Sequence, residues 1–343
     1  MKAARFSSAG DLALTVEEIR EPTVSGPTDV VVRIGGAGVC RTDLHILAGH
    51  WNDWIPGRPF VPGQENAGWV HEVGSDVGSV TIGDPVIVHT FSTCGLCRAC
   101  RAGEDQHCER QVAHGITTDG GFAELMLTSE RALVKLGNSL EPSVAAPLAD
   151  AGVTAYHAVD KAVSKLRPGT TAVLLGVGGV GLSGLQCVRA RSAARTIVVD
   201  PRPGARSLAS EHGADHAIDA GEDQLARVLE LTGGRGAEVV FDFVGDLGST
   251  EAGIAMTRRP GTYYCVGCGG TITVPTMELI VKEIELIGNT AGTYNDLADL
   301  MNMAEEGRIS LPTTSYPLEH ISEALADLAD GKLEGRAVIA PSN

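Results

Sequence analysis

The chain has 343 residues, of which 43% are hydrophobic and 20% charged, and a formal net charge of −16 at pH 7. That length suffices for two domains with cores of their own, and the apolar fraction is that of an ordinary globular protein. So acidic a balance argues against nucleic acid or an anionic membrane as partner, and no run reaches the roughly 18 apolar residues of a membrane span. Met1–Gly10 carries Lys2 and Arg5 with no apolar stretch behind them, so the expectation is no secretory leader and a cytoplasmic protein. The 43 glycines fall in pairs and short clusters, which suits turn-rich strands and nucleotide loops rather than a fibrous repeat.

Residues 1–148 read as strands and turns. Runs rich in β-formers at Asp29–Ile34, Gly68–Val73 and Asp84–Val88 are separated by Gly-Asp and Pro-Gly steps, without a long helical period. Within this part, Cys94-x2-Cys97-x2-Cys100-x7-Cys108 places four thiols inside fifteen residues. Thiolates so spaced can converge on one tetrahedral zinc, at about 2.3 Å per Zn–S bond, and close its shell. A closed shell binds no substrate, so this zinc is expected to be structural, in a lobe at about residues 90–110. A disulfide cluster is the alternative, but without secretion such spacing is more often a metal site. Cys187, Cys265 and Cys268 lie in apolar segments and are expected in the core. His71, His89, His107 and His114 are given no metal role.

The character changes near Ala149. From Thr171 onward, strands at Thr171–Leu175, Arg195–Asp200, Glu238–Phe243 and Thr262–Val266 alternate with helical patterns at Val180–Ala190, Arg206–His212, Asp223–Leu231 and Ser249–Arg258. Such alternation predicts a parallel sheet covered on both faces, an α/β domain. Its first strand leads into Gly176-Val-Gly178-Gly179-Val180-Gly181, a GxGxxG turn that opens a helix. Gly176 permits the tight turn, Gly178 lets the backbone approach a pyrophosphate, and Gly181 allows close helix–strand packing. The free N–H groups and partial positive charge of the helix start suit phosphate. Asp200 ends the next strand, where a carboxylate takes the ribose hydroxyls of NAD and repels a 2′-phosphate. NAD is therefore preferred over NADP, with Arg202 and Arg206 nearby as the opposing signal. Beyond Gly288 the pattern is mixed again, with helices near Asn295–Glu306 and Ile321–Leu328 and a strand at Arg336–Ala340. A mostly-β domain (1–148 and 288–343) with a nucleotide domain (149–287) inserted in it is the expected organisation.

These features together resemble the zinc-containing medium-chain alcohol dehydrogenases over nearly the whole chain. The stretches that carry the likeness are Gly38-Val-Cys40-Arg-Thr42-Asp-Leu-His45, Pro62-Gly63-Gln64-Glu65-Asn66-Ala67-Gly68, the cysteine cluster, Asp119-Gly-Gly-Phe-Ala-Glu124, Pro147-Leu-Ala-Asp150-Ala-Gly-Val-Thr154-Ala-Tyr and the glycine turn. The resemblance implies a GroES-like catalytic domain joined to a Rossmann domain, NAD and a second, catalytic zinc. In that family a Cys, a His and a Cys or Asp hold the catalytic zinc. Cys40 matches the first ligand and Asp150 the third, while Gln64 stands where the family has His.

An amide oxygen is a weaker zinc ligand than imidazole, carboxylate or thiolate. Three cases stay open: zinc held through Gln64, zinc held through Glu65, which matches a family residue placed behind the metal, or no catalytic zinc. By sequence alone, Glu65 as ligand would add a negative charge that opposes an alkoxide on the metal. The resemblance further implies that Thr42 contacts the reacting oxygen and that His45 ends a proton relay, a task suited to a group titrating near neutrality. It puts Arg41 and Arg336 on the cofactor pyrophosphate; without it, both would read as solvated surface charges. Thr154 and Val266 match residues beside the nicotinamide, and Trp51 and Trp54 are expected to wall the substrate pocket.

The expected activity is NAD-dependent, zinc-assisted interconversion of alcohols with ketones or aldehydes, with secondary alcohol and ketone as the substrate class. The alternative is a same-fold reductase of activated C=C or C=N bonds that works without catalytic zinc. The expected partners are a small alcohol or ketone and further copies of the chain, as a homotetramer or dimer.

Overall fold

The computed structural model describes residues 1–7, 14–55, 59–137 and 139–341. The chain divides into two compact units: Met1–Val153 with Thr293–Gly307 and Leu311–Asn343, and Thr154–Gly292 with Arg308–Ser310. The divisions lie a few residues beyond the expected 149 and 288. The first passes through the helix Ala151–Ala162, which the sequence reading missed. That helix holds Gly152, Val153 and Thr154 and is buried along much of its length, so neither propensity nor a polar face marks it.

The first unit is built on a seven-stranded sheet. Its path runs Thr313–Tyr316, Arg336–Ile339, Asp29–Val39, Glu65–Val73, Pro85–Val88 and Leu133–Lys135, with Leu125–Ser129 also paired to Asp29–Val39. All pairings are antiparallel except that of Thr313–Tyr316 with Arg336–Ile339. Val30, Val32, Ile34, Val70, Val86, Phe60 and Phe122 form its core. The strand expected to stop at Ile34 runs on to Val39. Its glycines read as breakers, but they sit where other chain comes close: a Cβ at Gly36 would lie 2.6 Å from the Ser143 backbone.

The second unit holds six strands, every pair parallel, in the order His216–Ile218, Arg195–Val199, Thr171–Leu175, Ala237–Asp242, Thr257–Cys265, Ile284–Gly288. Numbered along the unit this is the 3-2-1-4-5-6 order of the doubly wound Rossmann fold, which reverses direction beside its first strand. Four of the six strands were legible. His216–Ile218 is only three residues long, and Ile284–Gly288 is a half-exposed edge lacking a buried apolar run. The helix Thr276–Lys282 was also missed, because its Met277 and Ile280 lie exposed, 66% and 69%, instead of forming a buried stripe. Among the described residues no helix is long and apolar enough to cross a membrane.

One titratable group in the first sheet's surroundings carries a stability signature. His114 is buried, with Nδ1 3.1 Å from the Thr90 carbonyl and Nε2 3.0 Å from Thr128 Oγ1, and burial pushes it down to about 4. An unfolded chain takes up this proton near pH 6.5. The folded state therefore binds fewer protons in between, and stability present above pH 6.5 is lost as pH falls through 4, about 3 kcal/mol for this one group. Urea unfolding of His114→Asn should show a shallower decline between pH 6.5 and 4 than the parent chain; parallel declines would rule out this residue as the source.

Candidate active site

Two groups of metal-ligating side chains occur among the described residues, both in the first unit. In the lobe, the sulfurs of Cys94, Cys97, Cys100 and Cys108 all lie within 4.8 Å of one another, Cys97 at 3.5 Å and Cys94 at 4.0 Å from Cys100. A disulfide would need about 2.05 Å, whereas sulfurs at the corners of a zinc tetrahedron lie about 3.8 Å apart. The donor set fits zinc. Backbone N–H groups of Leu96 and Cys97 hold the Cys94 thiol down at about 5, while burial and the neighbouring thiols push Cys100 up to about 12. Thus part of the cluster is ready as thiolate, and full ionisation awaits a cation.

The second group is assembled from four separate elements. Cys40 follows the strand Asp29–Val39 and caps the helix Arg41–Leu47: its Sγ accepts the Thr42 N–H at 3.3 Å, and the buried Asp43 carboxylate accepts the Cys40 N–H at 2.8 Å. Glu65 opens the neighbouring strand and faces Gly38 across the ladder. A Cβ at Gly38 would stand 2.0 Å from Glu65 Oε2, so only glycine leaves the carboxylate its place. Asp150 follows the short turn Ala146–Ala149, whose last carbonyl accepts from Thr90 Oγ1 at 3.1 Å. Arg336 opens the strand Arg336–Ile339 on the other side of Asp29–Val39.

Here Cys40, Glu65 and Asp150 each bring a ligand atom within 4.8 Å of the other two. Gln64 Nε2 donates to Cys40 Sγ at 3.1 Å and to Asp150 Oδ2 at 2.7 Å. Glu65 Oε1 accepts from Arg336 at 2.6 Å and from the Ala151 N–H at 3.2 Å, while its Oε2 is buried with no partner. Burial pushes Glu65 up to about 8 and Asp43 up to about 7, and holds the Cys40 thiol well above its ordinary value. Three ionisable donors crowded together, two of them buried and one of these with an orphaned oxygen, fit a divalent ion.

Of the other expected residues in this unit, Arg41 is exposed at the first position of the Cys40-capped helix, and Thr42 and His45 are half-buried on it. His45 lies 5.5 Å from the His50 ring. Trp51 packs partly buried on the core, whereas Trp54 is 67% exposed. Arg336 corrects the surface-charge reading: it is 6% exposed and committed to Glu65. Cys187 is in the core as expected, but Cys265 is half-buried and Cys268 exposed, because the chain leaves the sheet after Cys265. Asp43 was missed, although Cys40-x-x-Asp43 is a capping-box spacing and could have signalled it.

In the second unit the glycine turn joins Thr171–Leu175 to the helix Gly179–Arg191, with Gly178 as N-cap. Gly176 has φ +79°, and a Cβ on Gly181 would lie 1.9 Å from the Gly176 carbonyl oxygen. Val180 is half-buried in that helix. Asp200 is buried: Oδ2 accepts the Val177 N–H at 2.8 Å and Arg202 at 3.0 Å, and Oδ1 accepts the Arg202 Nε at 3.1 Å. Burial opposes its ionisation, but Arg202 and these N–H groups hold it below the usual carboxylate range. The turn and Asp200 are thereby hydrogen-bonded to each other. Thr154 accepts from Asn289 Nδ2 at 3.1 Å through its carbonyl, and Val266 is half-buried just past its strand.

Residues 26–138 match the family model described as an alcohol dehydrogenase GroES-like domain, and residues 179–306 match that of a zinc-binding dehydrogenase. D-arabinose 1-dehydrogenase (NADP(+)) of Saccharolobus solfataricus is 36% identical, covering 96% of this chain and 94% of that protein. An NAD-dependent alcohol dehydrogenase of Sulfurisphaera tokodaii is 32% identical, covering 99% and 100%. The crystal structure of the alcohol dehydrogenase from the archaeon Aeropyrum pernix superposes with a TM-score of 0.97 at 40% identity, covering 99% and 100% of the two chains. With a GroES-like domain, a Rossmann-type parallel sheet and near-complete coverage by such relatives, the chain belongs to the zinc-type medium-chain dehydrogenase/reductase family and is an oxidoreductase of the alcohol dehydrogenase type.

Proposed function

We propose that this protein interconverts alcohols, chiefly secondary ones, and the corresponding ketones or aldehydes with NAD as hydride carrier and with zinc assistance. The observation that carries the reading is the convergence of Cys40, Glu65 and Asp150 at the start of the helix that bears Thr42 and His45. Zinc bound there supplies a Lewis acid that lowers the pKa of an alcohol oxygen. Thr42 would hold the hydroxyl of the substrate by hydrogen bond, and His45 would take up its proton and release it to solvent. The glycine turn and the helix start at Gly179 would bind the pyrophosphate through backbone N–H groups, and Arg41 is kept as a cation for the cofactor. Arg336, expected at the cofactor phosphate, also orients and charge-balances Glu65. Thr154 and Val266 flank the nicotinamide.

Asp200 supports NAD, since its ionised carboxylate stands where a 2′-phosphate would go. Arg202, folded onto that carboxylate, lessens the preference by cancelling part of the charge. The four-cysteine lobe holds a structural zinc. Further copies of the chain, in a dimer or tetramer, suit the exposed edge strand Ile284–Gly288 and the exposed apolar side chains of Met277, Ile280 and Val281 beside it.

A second reading rests on Gln64, whose amide already bridges Cys40 and Asp150: a reductase of activated C=C or C=N bonds, where the electron demand of the substrate replaces the Lewis acid. Elemental analysis separates the two. Protein purified with zinc should carry two zinc ions per chain, Cys100→Ser should carry one, and the parent should reduce NAD with secondary alcohols faster than NADP. A single zinc in the parent, with turnover of enones or imines but not alcohols, would establish the second reading instead.

A further inference from the structure

We propose that Gln64 is a latch and not a ligand: its amide ties Cys40 to Asp150 when the site holds no ion, and a divalent cation is carried by Cys40, Asp150 and Glu65. This rests on the zinc-assisted reading above and names the ligand set of that site.

The amide of Gln64 turns its NH2 edge to two acceptors at once, 3.1 Å from Cys40 Sγ and 2.7 Å from Asp150 Oδ2. An amide nitrogen that spends its hydrogens in this way has no lone pair for a metal. Turning the amide over would set its oxygen against the sulfur and the carboxylate, acceptor against acceptor. The present orientation places the positive end of the amide dipole between two groups that would otherwise need a cation there. Glu65 presents the opposite situation. Its Oε1 is anchored by Arg336 and the Ala151 N–H, so the carboxylate is oriented before any ion arrives. Its Oε2 is wholly buried, lacks a partner, and is kept clear by the absence of a side chain at Gly38. A buried carboxylate oxygen left unsatisfied is costly, and a cation shared with Cys40 and Asp150 satisfies it.

Charge does not oppose the same set. A divalent ion with one thiolate and two carboxylates leaves one net negative charge, which is what seemed to count against Glu65 by sequence alone. Arg336, 2.6 Å from Glu65, cancels that charge, so coordination by Glu65 leaves the centre neutral. Coordination by the Gln64 amide oxygen would instead leave the buried Glu65–Arg336 pair with its orphaned oxygen untouched.

The test is a cobalt(II) titration of full-length protein with its lobe filled by zinc, read by thiolate-to-cobalt absorption and by competition with a chelator. Cys40→Ser in parallel marks the signal that belongs to this site. Gln64→Ala should bind cobalt as tightly as the parent or a few-fold tighter, having lost the competing latch. Glu65→Gln keeps an oxygen for Arg336 and Ala151 but replaces Oε2 with NH2, and should weaken binding roughly a hundredfold or more. A loss of about tenfold or more in Gln64→Ala, or unchanged binding in Glu65→Gln, overturns the assignment. If Glu65→Gln fails to fold, the Gln64→Ala result decides alone. A parent chain that takes up no cobalt beyond the lobe would instead remove the zinc-assisted function itself, and NAD binding measured on the same samples shows whether the second unit stands apart from that outcome.

Discussion

A carboxyl group out of reach of water ionises in a protein only where charge and hydrogen bonds are brought to it, and Glu65 is 0% exposed. The partner brought to it is Arg336, from a strand 271 residues further along the chain, together with the Ala151 N–H. This pair ties the C-terminal strand, which is laddered beside Asp29–Val39, and the start of the helix Ala151–Ala162 to the same carboxylate. It also places Asp150, one residue before Ala151, within reach of Cys40. Removing either charge would strand the other in a dry interior, so the pair acts as a fixed point for the site as much as for the fold.

Around that point the chain has arranged acidity in excess of base. Burial pushes protons onto Asp43, Glu65 and Cys40, the Asp150 carboxylate adds its charge to their field, and Arg336 is the buried cation among them. The lobe shows the same physics with sulfur alone. In both places ligand atoms are set close together by backbone geometry, and the mutual repulsion of their charged forms is what gives a cation its affinity. Gln64 is the local variation: a neutral amide that lends partial positive charge where imidazole would lend a lone pair.

The second unit uses backbone rather than side-chain charge. The strand Thr171–Leu175 delivers its turn at the point where the sheet order reverses, and the absence of a Cβ at Gly181 lets helix and turn meet. Asp200 then ties the next strand's end to the turn through Val177. A carboxylate so engaged both positions the loop and sets the local charge that a ribose substituent would meet.

The features legible in the residues were those written over short distances along the chain. The cysteine cluster, the glycine turn with its strand and helix and the alternation that defines the parallel sheet are all set by spacings of a few residues, because thiolate convergence, tight turns and helical periods are local geometry. The missed elements lack that local signal: a three-residue strand, an edge strand, a helix interrupted by glycine and threonine, and the helix Thr276–Lys282 with its exposed apolar residues. What only the tertiary structure decided was which groups face one another across long separations, such as Gln64 with Asp150 and Glu65 with Arg336, 86 and 271 residues apart. Burial and partnering at such distances depend on how sheets close, and no spacing rule along a single chain encodes that, so the residue types of the site were written in the sequence while their charge balance and orientation came from the fold.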